Sequence, residues 1–258
     1  MSIFYINSYQ YASGGGLDAD ASQYINSVEA QDSQQLESGV RTAINDFVVG
    51  CKSDGIWNAI KASCILAGAR TLDGALVPLT GGAPTNFNFV GADYDRKTGL
   101  KGDGSTKYLD SNRNNNADPQ NSRHMATWRS VSETRDTTRF LIATPNGTGM
   151  GQLATTTALR IARSAGGDYQ ISDTTAVAGF WGHSRSDAQD ILQRYNNSTT
   201  SGSYASSVPL DASLQIFSRS GAGFSNARLS FYSIGESLDL AKLDTRVSNL
   251  MTTIGGAI

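Results

Sequence analysis

The chain has 258 residues, with 21 Lys and Arg against 23 Asp and Glu, 39% hydrophobic and 17% charged residues. A net charge of -2 without a basic run supplies no concentrated phosphate-neutralising surface, which excludes nucleic acid as a partner. No apolar stretch approaches the roughly 20 residues that span a bilayer, and Met1-Ser2-Ile3-Phe4-Tyr5 lacks the charged region and apolar core of a secretion signal, so synthesis and folding in a cytoplasm are expected.

Residues 1–17 read as an extended arm, with Phe4, Tyr5, Ile6, Tyr9 and Tyr11 among polar residues and Gly14-Gly15-Gly16 uncoupling them from the rest of the chain. Exposed aromatic side chains are an awkward feature of a monomer, so Phe4, Tyr5, Tyr9 and Tyr11 are expected to dock on a neighbouring subunit, with the protein's own surface as the alternative. Residues 18–68 read as a helical subdomain. Ala21, Tyr24, Ile25 and Val28 make one apolar stripe, and Leu36, Val40, Ala43, Ile44, Phe47, Val48 and Cys51 make a second. Asp32, three residues before Gln35, is placed as the N-cap of that second helix, which Gly50 weakens at its end. Ile56, Ala59, Ile60 and Cys64 predict a third helix, stopped by Gly68.

From residue 69 to 236 the character is that of strands and turns, and 27 Gly with abundant Ser, Thr and Asn agree with this. Candidate strands are Met125 to Ser130, Arg139 to Ala143, Ala158 to Arg163, Asp168 to Ser172, Ala176 to Ser184 and Ser213 to Ser218. Asn146-Gly147 and Gly166-Gly167 suit tight hairpin turns, because Gly takes positive φ without strain. Many short strands so punctuated imply a sandwich or barrel. Residues 237–258 return to helix, with Leu240, Leu243, Val247, Leu250, Met251 and Ile254 on one face.

Two segments carry a resemblance. Gly99-Leu100-Lys101-Gly102-Asp103-Gly104-Ser105-Thr106-Lys107-Tyr108-Leu109-Asp110 is a Gly-rich turn feeding a strand, and Phe224 to Gly235 is a long alternating strand leading into a helix. Together they resemble the opening and closing strands of the concanavalin A-like (laminin G-like) jelly roll, in the form found in tailed-phage virion proteins. The resemblance implies an antiparallel jelly-roll β-sandwich, preceded here by the small helical subdomain and followed by the C-terminal helix. Tyr108 and Leu109 should face opposite ways on an early strand, with Leu229 and Phe231 both inward on a late one.

Catalytic chemistry is sparse. His124 and His183 are isolated and lie beside aromatic strands containing Trp128 and Trp181, and no Gly-x-Ser-x-Gly elbow is present. Glucanases of the resembling fold carry a Glu-x-Asp-x-x-Glu pattern, whereas Glu29, Glu37, Glu133 and Glu236 are dispersed. Asp93, Asp95, Asp103 and Asp110 form the one carboxylate cluster that would be suspected of catalysis. Cys51 and Cys64 read as reduced, buried thiols, without further ligands for a metal. The loop Asn112 to Asn121, with Asp110 and Asp118, offers oxygen ligands to calcium but equally resembles an ordinary solvated turn. Trp181, Tyr195 and Tyr204 flank the polar run Asn196 to Ser203, a candidate platform for a glycan. The expectation is therefore a non-enzymatic structural protein of a tailed-phage virion, a head decoration or tail component, with no cofactor. Its expected partners are other virion proteins and copies of itself. A glycan-binding module contacting the host surface is the alternative.

Overall fold

The structure is a computed structural model that describes residues 16–132, 134, 137–145, 149–152, 158–161, 169–172, 177–195 and 197–258. The arm residues Phe4, Tyr5, Tyr9 and Tyr11 lie outside the described residues, as do both glycine hairpin turns. Three layers stack on one another: helices, a first sheet and a second sheet.

The helical layer contains α1 (Ala19–Asp32), α2 (Ser38–Ser53) and the C-terminal α4 (Leu240–Ala257); α3 (Leu72–Ala75) is a single short turn. The apolar stripes expected for α1, α2 and α4 are the buried faces observed. Asp239 caps α4 by accepting from the backbone N–H groups of Ala241 at 2.9 Å and Lys242 at 3.2 Å. Gly50 does not end α2. It sits where α4 crosses, and a Cβ there would lie 2.7 Å from Cδ of Arg246, whose guanidinium pairs with Asp54 at 2.7 Å.

The first sheet runs in the order β13 (Ser198–Ser203), β12 (Asp190–Tyr195), β11 (Gly179–Arg185), β6 (Arg123–Val131), β15 (Arg228–Gly235), β4 (Gly99–Lys101) and β3 (Tyr94–Asp95), with β1 (Ile60–Ile65) also paired to β15. The second runs β10 (Tyr169–Ser172), β9 (Ala158–Ile161), β8 (Gly149–Gln152), β7 (Arg139–Ala143), β14 (Ser213–Ile216), β5 (Tyr108–Asn114) and β2 (Thr85–Phe87). Every pairing among these described strands is antiparallel, and the whole is a jelly-roll-like β-sandwich with helical additions. The two signature segments meet as the resemblance implies: Leu100 pairs with Leu229 and Lys101 with Arg228. Gly99 permits this approach, since a Cβ there would fall 2.1 Å from the Leu229 carbonyl oxygen, and its φ is +90°.

One core lies between the helices and the first sheet, where Phe47, Val48, Val247 and Ile254 meet Ala126, Phe180 and Phe231. The other lies between the sheets, where Leu100, Met125, Leu229 and Ile234 meet Leu109, Leu141, Ile142 and Ile216.

Three expectations are corrected. The third helix is a 3-10 turn (Trp57–Ala59) leading into β1, which pairs with β15 from Ile60 opposite Gly235 to Ile65 opposite Phe231. This strand is buried on both faces, Ile60 and Ile65 under the helices and Ala62 and Cys64 between the sheets. A strand covered on both sides loses the two-residue alternation that distinguishes it from a buried helix. The sandwich therefore begins at Ile60 rather than at residue 69. Asp32 ends α1 instead of starting α2, and its carboxylate accepts from the Arg70 N–H at 2.6 Å, the Thr71 N–H at 2.9 Å and the Thr71 hydroxyl at 2.6 Å. Finally, Leu229 and Phe231 face opposite ways. Leu229 pairs with Arg129 and Phe231 with Trp128, so Ser230 is an extra residue, a bulge that turns Phe231 under the helices. Tyr108 and Leu109 do alternate, with Leu109 between the sheets and Tyr108 stacked on Phe87 at 4.3 Å.

Candidate functional site, a polar half of the sandwich interior

Strand alternation sorts the residues of β11 cleanly. Phe180 packs into the helix-side core and the Ser184 hydroxyl accepts from the Leu238 N–H, both on the outer side. Trp181 lies in the inter-sheet core, so His183 and Arg185 face the second sheet with it. The register brings Trp181 opposite Thr127 and Tyr195, His183 opposite Met125 and Gln193, and Arg185 opposite Arg123. Arg129, two residues beyond Thr127, completes the face. On β8, Met150 lies in the same inter-sheet core, which turns Gln152 inward as well.

The interior is thus divided. The half built on β15, β4 and β1 is apolar: Leu229, Tyr232, Ile234, Leu100, Ala62 and Cys64. The half built on β6, β11 and β12 carries Arg, Thr, Trp, His, Gln and Tyr, and nearly all of them are buried.

At its centre the Trp181 and Tyr195 rings meet edge to face, with centroids 5.8 Å apart. The Arg129 guanidinium carbon lies 5.1 Å from the Trp181 ring and 5.4 Å from the Tyr195 ring. Arg129 donates to the Tyr195 hydroxyl at 3.2 Å and to the Val177 carbonyl at 2.9 Å, so the aromatic pair is held in place from one side. Arg185 donates to the carbonyls of Tyr204 at 2.6 Å and Asp187 at 3.3 Å. Burial pushes its pKa down, against the opposing influence of Asp187 and Asp190.

Several polar atoms on this face have no hydrogen-bond partner among the described residues: both amide atoms of Gln193 and of Gln152, Trp181 Nε1, Thr127 Oγ1 and Arg185 Nε. Gln193 and Gln152 are each 1% exposed and Trp181 is 0% exposed. Each such atom, left unmet, costs about 1–3 kcal/mol, and each has under 1 Å² of accessible surface. Neutral donors and acceptors, two aromatic rings and guanidinium groups on one face suit a polyhydroxylated ligand.

The expected glycan platform is therefore partly assembled, but in a different place. Trp181 and Tyr195 come together, yet Trp181 presents no surface to solvent because it faces the opposite sheet. Residues 198–203 form the edge strand β13, paired to β12, rather than a loop beside an open platform. Tyr204 is half-buried at the rim, its backbone N–H bonded to the Gln189 carbonyl at 2.6 Å and its carbonyl to Arg185. Arg129, Arg185, Thr127, Gln193 and Gln152 were not read from the sequence. Their signal, polar residues at every second position of a strand, is the same one that a solvent-facing strand gives.

The other candidate groups are engaged elsewhere. Asp95 accepts from the Lys97 and Thr98 N–H groups within a turn, and Asp93 pairs with Lys107 at 2.5 Å. Burial raises the Asp103 pKa. The Thr106 hydroxyl and the N–H groups of Thr106, Ser105 and Lys107 outweigh it and hold the carboxyl well below its ordinary value. Asp110 accepts from the Asn112 N–H and the Ser213 hydroxyl. His124 bridges the Glu236 carbonyl and the Ser233 hydroxyl. In the loop from Asn112 to Asn121, Asp118 pairs with Arg113 at 2.6 Å, and the carbonyls of Asn115, Asp118 and Pro119 converge on the Arg123 guanidinium. Cys51 and Cys64 are free thiols, each pushed by burial up to about 12.

No family profile matches the chain, and no curated protein sequence matches it. Among solved structures it is similar to the CBM40 of the Ruminococcus gnavus IT-sialidase bound to alpha2,3 sialyllactose (8% identity, 50% of this chain and 82% of that one, TM-score 0.38). It is also similar to the botulinum neurotoxin serotype D binding domain (10% identity, 74% and 51%, TM-score 0.48). A third is the enzymatically active domain of bacteriophage CBA120 tailspike protein 2 (14% identity, 66% and 29%, TM-score 0.40).

Proposed function

We propose that the chain is a non-enzymatic component of a tailed-phage particle whose sandwich binds a glycan of the host surface where Tyr195 and Tyr204 reach its half-buried rim. The observation that carries this reading is half-buried Tyr195, held edge to face on Trp181 and flanked by the Arg129 guanidinium. A sugar offers C–H faces to the accessible part of a phenol ring and hydroxyls to the polar groups beside it. The interior-facing residues of β6, β11 and β12 include no Asp or Glu, so this face holds but offers no carboxylate pair for glycoside hydrolysis. The phage setting rests on the resemblance of the Gly99–Asp110 and Phe224–Gly235 segments. A glycan array probed with the purified chain tests the reading. Binding to a defined set of glycans, without release of reducing ends, is the expected result; an array blank at high protein concentration overturns it.

Assembly through protein contacts has its own support. Phe87, 36% exposed, stacks on half-buried Tyr108, which lies 6.2 Å from the ring of half-buried Phe224. Phe87 offers the exposed end of this aromatic strip, as a contact with a neighbouring virion subunit would require. Tyr108→Ser together with Phe87→Ser should leave the monomer folded while reducing its incorporation into particles; unchanged incorporation would remove this support.

A further inference from the structure

A cavity of about 430 Å³ opens between α4 and the outer face of the first sheet, with Trp128 in its wall. We infer that it is a second saccharide subsite, in which one sugar ring lies on the Trp128 indole while its hydroxyls bond to α4 and to two loop side chains. The inference rests on the glycan reading above for the class of ligand. The place is different, because Trp128 and Tyr195 stand on opposite faces of the first sheet.

Strand register sets the floor. Trp128 of β6 lies opposite Phe180 of β11 and Phe231 of β15, which both pack under the helices, so its half-buried indole stands on that side too. The chain enters β11 through Ala178 and Gly179, and a Cβ on Gly179 would meet nothing within 4 Å. Two small residues there leave open the space beside the indole that a longer side chain would fill. The resulting volume falls within the range of about 300–1,000 Å³ usual for ligand pockets.

The opposite wall is α4. Asp244, Ser248 and Thr252 recur every four residues and so share the side of the helix that lines the cavity. Arg194 Nε holds the Asp244 carboxylate at 2.6 Å, and the Ser248 hydroxyl donates to that carboxylate at 3.1 Å. The Thr252 hydroxyl donates to the Ser248 carbonyl at 2.8 Å. With their hydrogens committed, the oxygens of half-buried Ser248 and exposed Thr252 are left to accept from a ligand. At the rim, exposed Lys97 and Asn197 supply ammonium and amide donors. An acceptor wall, a donor rim and an aromatic floor suit a sugar ring, whose hydroxyls both donate and accept and whose C–H face covers an indole. A single rim cation, with the one carboxylate already paired to Arg194, does not make the clustered positive charge that a phosphate ligand calls for.

The test follows the indole N–H resonances of isotope-labelled protein, one for each of the three Trp residues, assigned with Trp→Phe variants. The probes are oligosaccharides of glucose, galactose, mannose, N-acetylglucosamine and glucuronate. At least one should move the Trp128 resonance saturably, and Trp128→Ala should weaken that probe at least about tenfold by calorimetry. Thr252→Lys, at an exposed position of α4, should fill the cavity and abolish the Trp128 shift without touching the core. Tyr195→Ser, on the other face, should leave that shift unchanged. A Trp128 resonance that stays still with every probe overturns the inference. So does a shift that survives Thr252→Lys, or one lost in Tyr195→Ser at unchanged melting temperature. Binding reported by Trp181 while Trp128 is silent removes the second subsite and leaves the glycan reading standing. Silence at both, together with a blank array, overturns both.

Discussion

Replacing Phe231 by Ala tests the register on which the architecture depends. The side chain is 0% exposed, lies under the helical layer and meets the Phe47 ring edge to face at 5.7 Å. Truncating a fully buried Phe leaves a cavity that costs about 3–5 kcal/mol. Against a total stability of about 5–15 kcal/mol for a domain, that is a large fraction. The Ser230 bulge adds a sharper consequence. Because it turns Phe231 toward α2, Phe231→Ala and Phe47→Ala should not be additive, and the edge-to-face pair should appear as a coupling of about 0.5–1.5 kcal/mol. Urea unfolding followed by circular dichroism, on the parent, both single variants and the double variant, measures each value. A loss below about 1 kcal/mol would place Phe231 at the surface. A full loss with no coupling to Phe47 would place it between the sheets, which a continuous β15 without the bulge would require.

Asp32→Ala removes the acceptor of three hydrogen bonds from Arg70 and Thr71. It should cost about 1–3 kcal/mol in thermal unfolding, with Asp32→Asn recovering part of it. Both thiols should be silent to a thiol reagent at about pH 8 in the native protein and titrate fully in denaturant, since burial pushes each pKa up to about 12. Rapid native-state labelling of Cys51 or Cys64 would contradict the packing around them.

Much of the fold was legible in the sequence because its elements bury one face only. The stripes of α1, α2 and α4 are the clear cases, whereas β7, read as Arg139 to Ala143, is buried along its whole length and was legible as a short apolar run. The elements that were not legible have a physical cause in each case. β1 is covered on both sides and therefore reads as a helix. β13, Ser198–Ser203, is a polar edge strand exposed along most of its length, and nothing in Ser-Thr-Thr-Ser-Gly-Ser marks it as paired. The pairing of β15 with β6 shifts twice, between Arg228 and Leu229 and again at Ser230, and the second shift turns Phe231 to the face opposite Leu229. The site was only half visible. Trp181 and Tyr195 stood out as aromatics, but the residues that join them belong to a sheet face both polar and buried. Alternation shows that a face is polar; only the second sheet shows that it is covered.

The account turns on whether the sandwich takes up a glycan beside Tyr195, and Trp181, edge to face with that ring, is positioned to report it. The chain has three Trp residues, Trp57, Trp128 and Trp181. In a Trp57→Phe, Trp128→Phe background the emission comes from Trp181 alone, beside Arg129 and Tyr195. Titration of that protein with the polysaccharide of the host surface should give a saturable change in Trp181 emission, lost in Tyr195→Ser. An emission that stays flat into the millimolar range, or a change that survives Tyr195→Ser intact, would contradict it.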